Sequence, residues 1–98
     1  AVTYAVGSSP QSVALGDING DNRLDIVVGN YAGSSVSVLR GWGNTTFSLL
    51  ATLATGTNPY WVAVADLNND TRNDIIVSNY GTNTIGLFRG FGNGTFSA

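Results

Sequence analysis

Two nine-residue segments carry every acidic side chain of this protein, and they offer the clearest capacity for chemistry. We call them loop 1, residues 17–25, and loop 2, residues 66–74. Side-chain oxygens stand at positions 1, 3, 5 and 9 of each loop: Asp17, Asn19, Asp21 and Asp25 in loop 1, and Asp66, Asn68, Asp70 and Asp74 in loop 2. Each loop has one arginine against three carboxylates, which repel one another unless a cation lies among them.

A hard divalent cation would remove this repulsion. Ca²⁺ takes about six to eight oxygen ligands and mixes carboxylates, amide oxygens and backbone carbonyls. The pattern predicts one Ca²⁺ per loop, two per chain, held by the side chains above and by the backbone carbonyls of Arg23 and Arg72 at position 7. Position 12 is Val28 or Val77, where an EF-hand needs an acid. The alternative is a pair of solvated Asx turns without an ion.

The composition leaves few groups for catalysis. Among its 98 residues the chain has no His, Cys, Lys or Glu, and the two loops use all six Asp. General acid–base chemistry needs such groups, so we expect a protein that is not an enzyme. A net charge of −2 gives no basic patch for nucleic acid, and no apolar run reaches the roughly 20 residues of a membrane span.

The chain is one repeat written twice. A shift of 49 residues superimposes residues 50–98 on residues 1–49, and every Asp and Arg falls into a register-matched pair. A repeat of this length is typical of solenoids, propellers and other arrays, whose units cannot bury their apolar faces alone. We therefore expect residues 1–98 to form a single unit of two repeats.

Within each repeat the apolar residues alternate with period two or form short runs, which predicts strands. The predicted strands are 12–16, 25–29, 36–40 and about 47–55 in the first repeat, and 61–65, 74–78 and 85–89 in the second. Four antiparallel strands in a repeat of roughly 40–50 residues are typical of a β-propeller blade. The predicted fold is therefore all-β, with two blades per chain, and an eight-stranded sandwich is the alternative.

The ends of the chain indicate how the blades are completed. Residues 1–6 align with residues 50–55 in the fourth strand, whereas the C-terminus falls in the first half of that strand. We expect strand 1–6 to complete a blade of a neighbouring copy. Propellers have roughly four to eight blades, so identical chains would close head to tail into a ring with an even total. A trimer with six blades is the expected homo-oligomer, and a fragment of a longer or engineered chain is the alternative.

Aromatic residues near the strand ends are candidates for ligand binding. They are Tyr31, Trp42, Trp61, Tyr80 and Phe91. Such rings could stack on a sugar, which makes a lectin-like, carbohydrate-binding propeller the alternative function, although packing between blades would explain them as well. Arg40 and Arg89, next to Gly-aromatic-Gly turns, are expected to pair with a carbonyl or carboxylate.

These motifs together resemble the FG-GAP/VCBS-type repeat of integrin-α-like, calcium-binding β-propellers. The resemblance is carried by Asp-x-Asn-x-Asp-x-Arg-x-Asp, then Ile-Val-Val-Gly-Asn-Tyr and Arg-Gly-Trp-Gly-Asn-Thr-Thr-Phe. Phe91-Gly92 matches the Phe-Gly of that family, whereas Trp42-Gly43 has a different aromatic residue. The resemblance implies Ca²⁺ at the ten loop positions, an extracellular or secreted location, and a structural, adhesive or protein-interaction role. Integrin heads have seven blades, a total that two-blade chains cannot form.

Overall fold

The computed structural model describes residues 2–97 and contains eight β-strands. They are β1 Pro10–Gly16, β2 Asp25–Asn30, β3 Ser35–Gly41, β4 Phe47–Ala54, β5 Pro59–Ala65, β6 Asp74–Asn79, β7 Thr84–Gly90 and β8 Phe96–Ser97. The one helical segment of the described chain is a 3-10 turn, Tyr80–Thr82. The all-β prediction is confirmed. The first three strands of each repeat extend one or two residues beyond their predicted bounds.

The strands form two antiparallel sheets of four. Their orders are β1-β2-β3-β4, which we call blade 1, and β5-β6-β7-β8, which we call blade 2. Strands that follow one another in sequence are neighbours in the sheet, as in the blades of a propeller. The predicted pair of four-stranded repeats is therefore confirmed. None of the described residues forms a helix long and apolar enough to cross a membrane.

The hydrophobic core lies between the two blades. Its buried members are Ile18, Val27, Val36 and Val38 from the first repeat and Val62, Ile75, Val77 and Phe88 from the second. Strand β5 packs against β1 and β2. This close packing depends on Gly16, where an added Cβ would lie 2.5 Å from Cγ1 of Val64. Each blade is thus stabilised by burying one apolar face against the other.

A buried asparagine closes the turn after β2 and after β6. Nδ2 of Asn30 donates to Oγ of Ser35 at 3.1 Å and to Oγ of Ser37 at 2.9 Å. Nδ2 of Asn79 donates to Oγ1 of Thr84 at 3.3 Å. These bonds satisfy the amide nitrogens at the end opposite the acidic loops, whereas Oδ1 of each asparagine is buried without a partner among residues 2–97.

The predicted strand 1–6 forms no strand in the described chain, and residue 1 lies outside the described residues. Instead, Tyr4 packs edge-on against Phe47, with ring centroids 5.7 Å apart. The Tyr4 hydroxyl accepts from the Phe47 amide at 3.2 Å and donates to the Thr45 carbonyl at 3.4 Å. Pairing of this segment with another copy stays a prediction.

The last residues of β3 and β7 are glycines that touch the ends of the acidic loops. A Cβ on Gly41 would lie 2.0 Å from the carbonyl oxygen of Leu24, and one on Gly90 would lie 2.0 Å from that of Asn73. No side chain fits at these distances unless the backbone shifts. Each acidic loop therefore packs directly onto a strand end of its own blade.

We expect Gly90→Ala to lower the free energy of unfolding by about 1–3 kcal/mol, because the new methyl group overpacks against a carbonyl. Gly86→Ala in the same strand is the matched control, since its Cβ would meet Nδ2 of Asn79 at 3.4 Å, an ordinary contact. Its effect should stay below about 0.5 kcal/mol. Urea denaturation measures both, and equal midpoints would show that the strand end has room for a side chain.

Candidate metal centre

Loop 1 joins β1 to β2, loop 2 joins β5 to β6, and each gathers its three carboxylates. Carboxylate oxygens of Asp17, Asp21 and Asp25 lie within 4.8 Å of one another, and the same holds for the three acids of loop 2. The third acid is the first residue of β2 or of β6, as expected. The structure therefore brings together all six predicted acidic residues in two equivalent clusters.

The third acid of each loop is a buried anchor. Asp25 is fully buried, and its Oδ2 accepts from the Ile18 amide at 2.8 Å while its Oδ1 accepts from the Gly41 amide at 2.7 Å. Asp74 accepts from the equivalent amides of the second repeat at 3.1 Å and 2.8 Å. Such hydrogen bonds make a buried carboxylate tolerable. They tie the start of the loop, the start of one strand and the end of another to a single side chain.

The first acid of each loop shapes the turn. Asp17 accepts from the amides of Gly20 and Asn22, both at 2.9 Å. Asp66 accepts from two amides of loop 2 at 3.1 Å and 2.7 Å. Gly20 and Asn22 have φ angles of 78° and 61°, in the left-handed region that Gly and Asn adopt most easily. The loop is therefore wound around its first carboxylate.

The middle acids differ between the two loops. Asp21 and Asp70 each accept from the backbone amide two residues later, at 3.0 Å. The second oxygen of Asp21 lies 3.8 Å from Nε of Arg40, whereas Oδ2 of Asp70 is buried and has no hydrogen-bond partner within residues 2–97. A buried acceptor without a partner costs stability. This oxygen belongs to a group of three carboxylates that could hold a metal ion.

The surroundings of the Asp70 carboxyl group favour its charged form. The backbone amide of Arg72 lowers the pKa of its carboxyl below the ordinary value of 3.8; burial acts in the opposite direction, and the Asn68 side chain, the Asp66 side chain and the Arg72 guanidinium lower it further. A carboxylate must be deprotonated to bind a metal. At neutral pH Asp70 is in that state without any ion.

The amide of Asn19 faces the carboxylates of loop 1. With its nitrogen turned towards them, it donates to Asp17 at 3.2 Å and to Asp21 at 2.9 Å, and its oxygen accepts from Nε of Arg40 at 3.2 Å. With its oxygen turned towards them, it would add a fourth oxygen to the cluster. Asn19 therefore lies beside the carboxylates of loop 1, and its role as an oxygen ligand stays a prediction. The carbonyls of Arg23 and Arg72 as ligands stay a prediction.

The two arginines beside the aromatic turns behave differently. Arg40 pairs with Asp21 as expected and lies over the ring of Trp42, at 4.1 Å from its centroid. Arg89 lies 5.9 Å from the Phe91 ring, and no ion pair with an acid is found for it in the described part of the chain. Loop 2 is therefore the less neutralised of the two acidic loops.

The five aromatic candidates do not form one site. Trp42 and Phe91 lie at the end of the blades that carries the acidic loops, Tyr31 and Tyr80 lie at the opposite end, and Trp61 is exposed on β5. A residue outside the predicted set, Tyr60, lies between Tyr31 and Tyr80.

Tyr60 lies between Tyr31 and Tyr80, with ring-centroid distances of 6.4 Å and 6.0 Å. Together with Gln11 these tyrosines line an open cavity of about 400 Å³. The sequence did carry a signal, because Tyr60-Trp61 replaces Gln11-Ser12 of the first repeat. Only the fold, however, brings Tyr60 of blade 2 against Tyr31 of blade 1.

Comparison with known protein families matches residues 17–77 to the FG-GAP-like repeat. The match covers more than half of the chain, begins at the first acid of loop 1 and includes the whole of loop 2. Searches of curated proteins and of solved structures gave no significant match.

Mutations in a chelating buffer can distinguish the role of the third acid, Asp74, from that of the middle acid, Asp70. We expect Asp74→Asn to lower the free energy of unfolding by about 1.5–3 kcal/mol, because its new amide group must oppose a buried backbone donor. Asp70→Asn should cost less than about 1 kcal/mol, since an oxygen remains for the Arg72 amide and the other oxygen has no donor to lose. Urea unfolding without metal measures both variants, and equal losses would contradict the division of roles.

Proposed function

Because this chain belongs to the FG-GAP-like repeat family, we propose that it is a calcium-binding β-propeller module with a structural role and one ion per blade. The observation that carries the proposal is the pair of carboxylate clusters, each with its oxygens within 4.8 Å. The buried, unpartnered Oδ2 of Asp70 supports it independently of the acid count.

The donor set fits Ca²⁺ better than a softer metal. The side chains proposed as ligands all offer oxygen, and neither His nor Cys occurs in the chain. The ligands would be Asp17, Asn19, Asp21, Asp25 and the Arg23 carbonyl in loop 1, and their equivalents at positions 66, 68, 70, 72 and 74 in loop 2. Bound Ca²⁺ would supply the positive charge that the three carboxylates lack.

The contacts of loop 1 support a structural role for the ion. Ile18, the second residue of the loop, is buried in the core between the blades. The carbonyl of Asp17 accepts from Nδ2 of Asn73 in the second repeat at 2.9 Å. An ion that fixes loop 1 would therefore also fix the junction between the blades, and unfolding would require its release.

We place this function outside the cell and without catalysis. Each of the six Asp accepts hydrogen bonds from backbone amides of its own repeat. These bonds give the carboxylates a structural role instead of a role in acid–base chemistry. Extracellular calcium modules bind with dissociation constants of about 10⁻⁴–10⁻³ M, weak enough to need the plentiful Ca²⁺ outside the cell. An adhesive or protein-interaction role would use the surface of the assembled propeller.

The double variant Asp21→Ala, Asp70→Ala should have a lower melting temperature in Ca²⁺ than the wild type, and chelator should no longer change it. Calcium at about 100 times its dissociation constant would stabilise a site by about 2.7 kcal/mol, and this part would be lost. Differential scanning calorimetry with and without EDTA measures the effect.

The matched control changes position 6 of both loops, Asn22→Gly with Thr71→Gly. These residues have φ angles of 61° and 66°, which glycine adopts freely, and they offer no predicted ligand. The control should keep its response to chelator. If the double Asp variant still responded to chelator as the wild type does, the calcium assignment would fail.

The cluster of Tyr31, Tyr60 and Tyr80 supports a second candidate function, carbohydrate binding. Tyr60 and Tyr80 are exposed, and the three rings border one cavity with Gln11, whose amide could hydrogen-bond a sugar hydroxyl. Such aromatic walls with a polar group are typical of small-molecule sites. Trp42 and Phe91 would then belong to the rim of the acidic loops instead of the sugar site.

We expect a glycan array to show binding that Tyr60→Ala abolishes and that Tyr60→Phe retains, because stacking needs the ring and not the hydroxyl. Trp42→Ala is the control at the opposite end of the blades and should bind like the wild type. An array without signal, or one on which Trp42→Ala and Tyr60→Ala lose binding equally, would remove this candidate.

A further inference from the structure

Arg40 brings a positive charge of the chain itself to the edge of loop 1. Its Nε lies 3.8 Å from Oδ2 of Asp21. With the amide nitrogen of Asn19 turned towards the carboxylates, the same Nε donates to the Asn19 side-chain oxygen at 3.2 Å. A guanidinium stays protonated at any pH at which a protein is folded. Two of the predicted ligands of loop 1 are therefore engaged by a permanent cation.

The ring of Trp42 holds this guanidinium in place. The central carbon of the Arg40 guanidinium lies 4.1 Å from the ring centroid, well within the roughly 6 Å over which a cation and an aromatic face attract each other. The ring is itself anchored, because its Nε1 donates to Oγ of Ser48 at 3.1 Å. Two contacts, one to an anchored ring and one to the Asp21 carboxylate, thus fix the position of Arg40.

Loop 2 has no such cation in the part of the chain that the structure describes. Arg89, the equivalent of Arg40, lies 5.9 Å from the ring of Phe91 and makes no ion pair with an acid there. Tryptophan attracts a cation more strongly than phenylalanine does. Consistent with the missing cation, Oδ2 of Asp70 has no hydrogen-bond partner among residues 2–97.

The other arginine of each repeat does not explain this difference. Arg23 and Arg72 stand at position 7 of their loops, and each side chain packs on the glycine of an aromatic turn. A Cβ on Gly43 would lie 3.2 Å from Nε of Arg23, and one on Gly92 would lie 3.1 Å from Cγ of Arg72. Both glycines have a φ of 82°. The two repeats match at these side chains, so the cation that distinguishes loop 1 is Arg40.

Arg40 also holds the amide of Asn19 in the orientation that disfavours a metal ion. The amide at position 3 hydrogen-bonds carboxylates in both loops, since Asn19 donates to two acids of loop 1 and the Asn68 side chain bonds Asp70. A metal ion needs the amide oxygen instead, so each amide must turn. In loop 1 this turn also breaks the bond from Nε of Arg40 to the Asn19 oxygen.

From these contacts we infer that Arg40 competes with Ca²⁺ for loop 1, so that loop 1 binds the ion more weakly than loop 2. The inference rests on the proposed calcium function. An ion that enters loop 1 meets the like charge of Arg40, and the two repel each other. It must also displace the guanidinium from Asp21 and from Asn19, whereas the oxygen of Asp70 has no partner to lose.

The exposure of the ion pair sets the size of the effect. The side chains of Arg40 and Asp21 are 35% and 21% exposed, so water screens part of their attraction. Pairs of this kind near a protein surface change an equilibrium constant by up to about fivefold. We therefore expect the dissociation constant of loop 1 to be about 3–5-fold larger than that of loop 2.

The competition also gives Arg40 a role when Ca²⁺ is scarce. Its charge lowers the repulsion among the carboxylates of loop 1. This loop is tied to the second repeat, because Ile18 is buried between the blades and the Asp17 carbonyl accepts from Nδ2 of Asn73. Loop 1 therefore keeps the junction between the blades with its own cation, whereas loop 2 depends on the ion.

Isothermal titration of the full chain with Ca²⁺ tests the inference. Asp70→Ala leaves loop 1 as the predicted site and Asp21→Ala leaves loop 2, so the affinity of each loop is measured alone. The dissociation constant of the Asp70→Ala chain should be about 3–5-fold larger than that of the Asp21→Ala chain. Adding Arg40→Gln to the Asp70→Ala chain should remove this difference.

Two matched changes in the same Asp70→Ala chain separate the position of Arg40 from the net charge. Arg89→Gln removes an equal charge that lies away from loop 1, and it should change the dissociation constant by less than about twofold because salt screens distant charges. Trp42→Phe keeps every charge and should raise the affinity, because Arg40 is then held less firmly. An affinity unchanged by Arg40→Gln, or an equal gain from Arg89→Gln, would overturn the inference.

Urea unfolding in EDTA gives a readout that needs no ion. Arg40→Gln should lower the urea midpoint because loop 1 loses its own cation, whereas Arg89→Gln should leave the midpoint unchanged. Equal midpoints for the two variants would also overturn the inference. Equal affinities of the two loops would overturn it and leave the calcium assignment, whereas the absence of Ca²⁺ binding from both loops would remove the calcium assignment as well.

Discussion

The structure depends on one buried carboxylate in each repeat. Asp25 and Asp74 accept from a backbone amide at the start of an acidic loop and from another at the end of a distant strand, 16 residues further along the chain. Without that side chain two amides would be buried without an acceptor, at a cost of roughly 1–3 kcal/mol each. The close contacts of Gly41 and Gly90 follow from it, because these strand ends must approach the loop to reach the carboxylate. The remaining carboxylates can then gather around the fixed loop, where they favour a cation.

The two loops share this plan but not their surroundings. Loop 1 is partly neutralised by Arg40 and is joined to the second repeat through the bond from Asn73. Loop 2 has an unpartnered carboxylate oxygen on Asp70 and an exposed Leu67. The difference is one of position: loop 1 lies at a junction between blades, whereas loop 2 lies at an open face. Two loops with the same acidic pattern thus have different electrostatic surroundings.

Much of this was predictable because it is local or repeated. The alternation of apolar residues predicted the strands, and the 49-residue repeat predicted the two four-stranded sheets. Asp17, Asp21 and Asp25 cluster because all three lie in one nine-residue loop. The family and the all-β fold followed from the same patterns. The contacts that were missed join residues far apart in sequence: Tyr60 with Tyr31, and Asn73 with the Asp17 carbonyl. No local spacing encodes which side chain of one blade meets which backbone atom of the next. Residues 2–6 form no strand within one chain, and their pairing with another copy stays a prediction.

The second residue of each acidic loop has a different environment in the two repeats. Ile18 follows the first acid of loop 1 and is buried in the core, whereas Leu67 follows the first acid of loop 2 and is exposed. Ca²⁺ in loop 1 would therefore stabilise the junction between the blades through Ile18, whereas Ca²⁺ in loop 2 would stabilise the turn of blade 2.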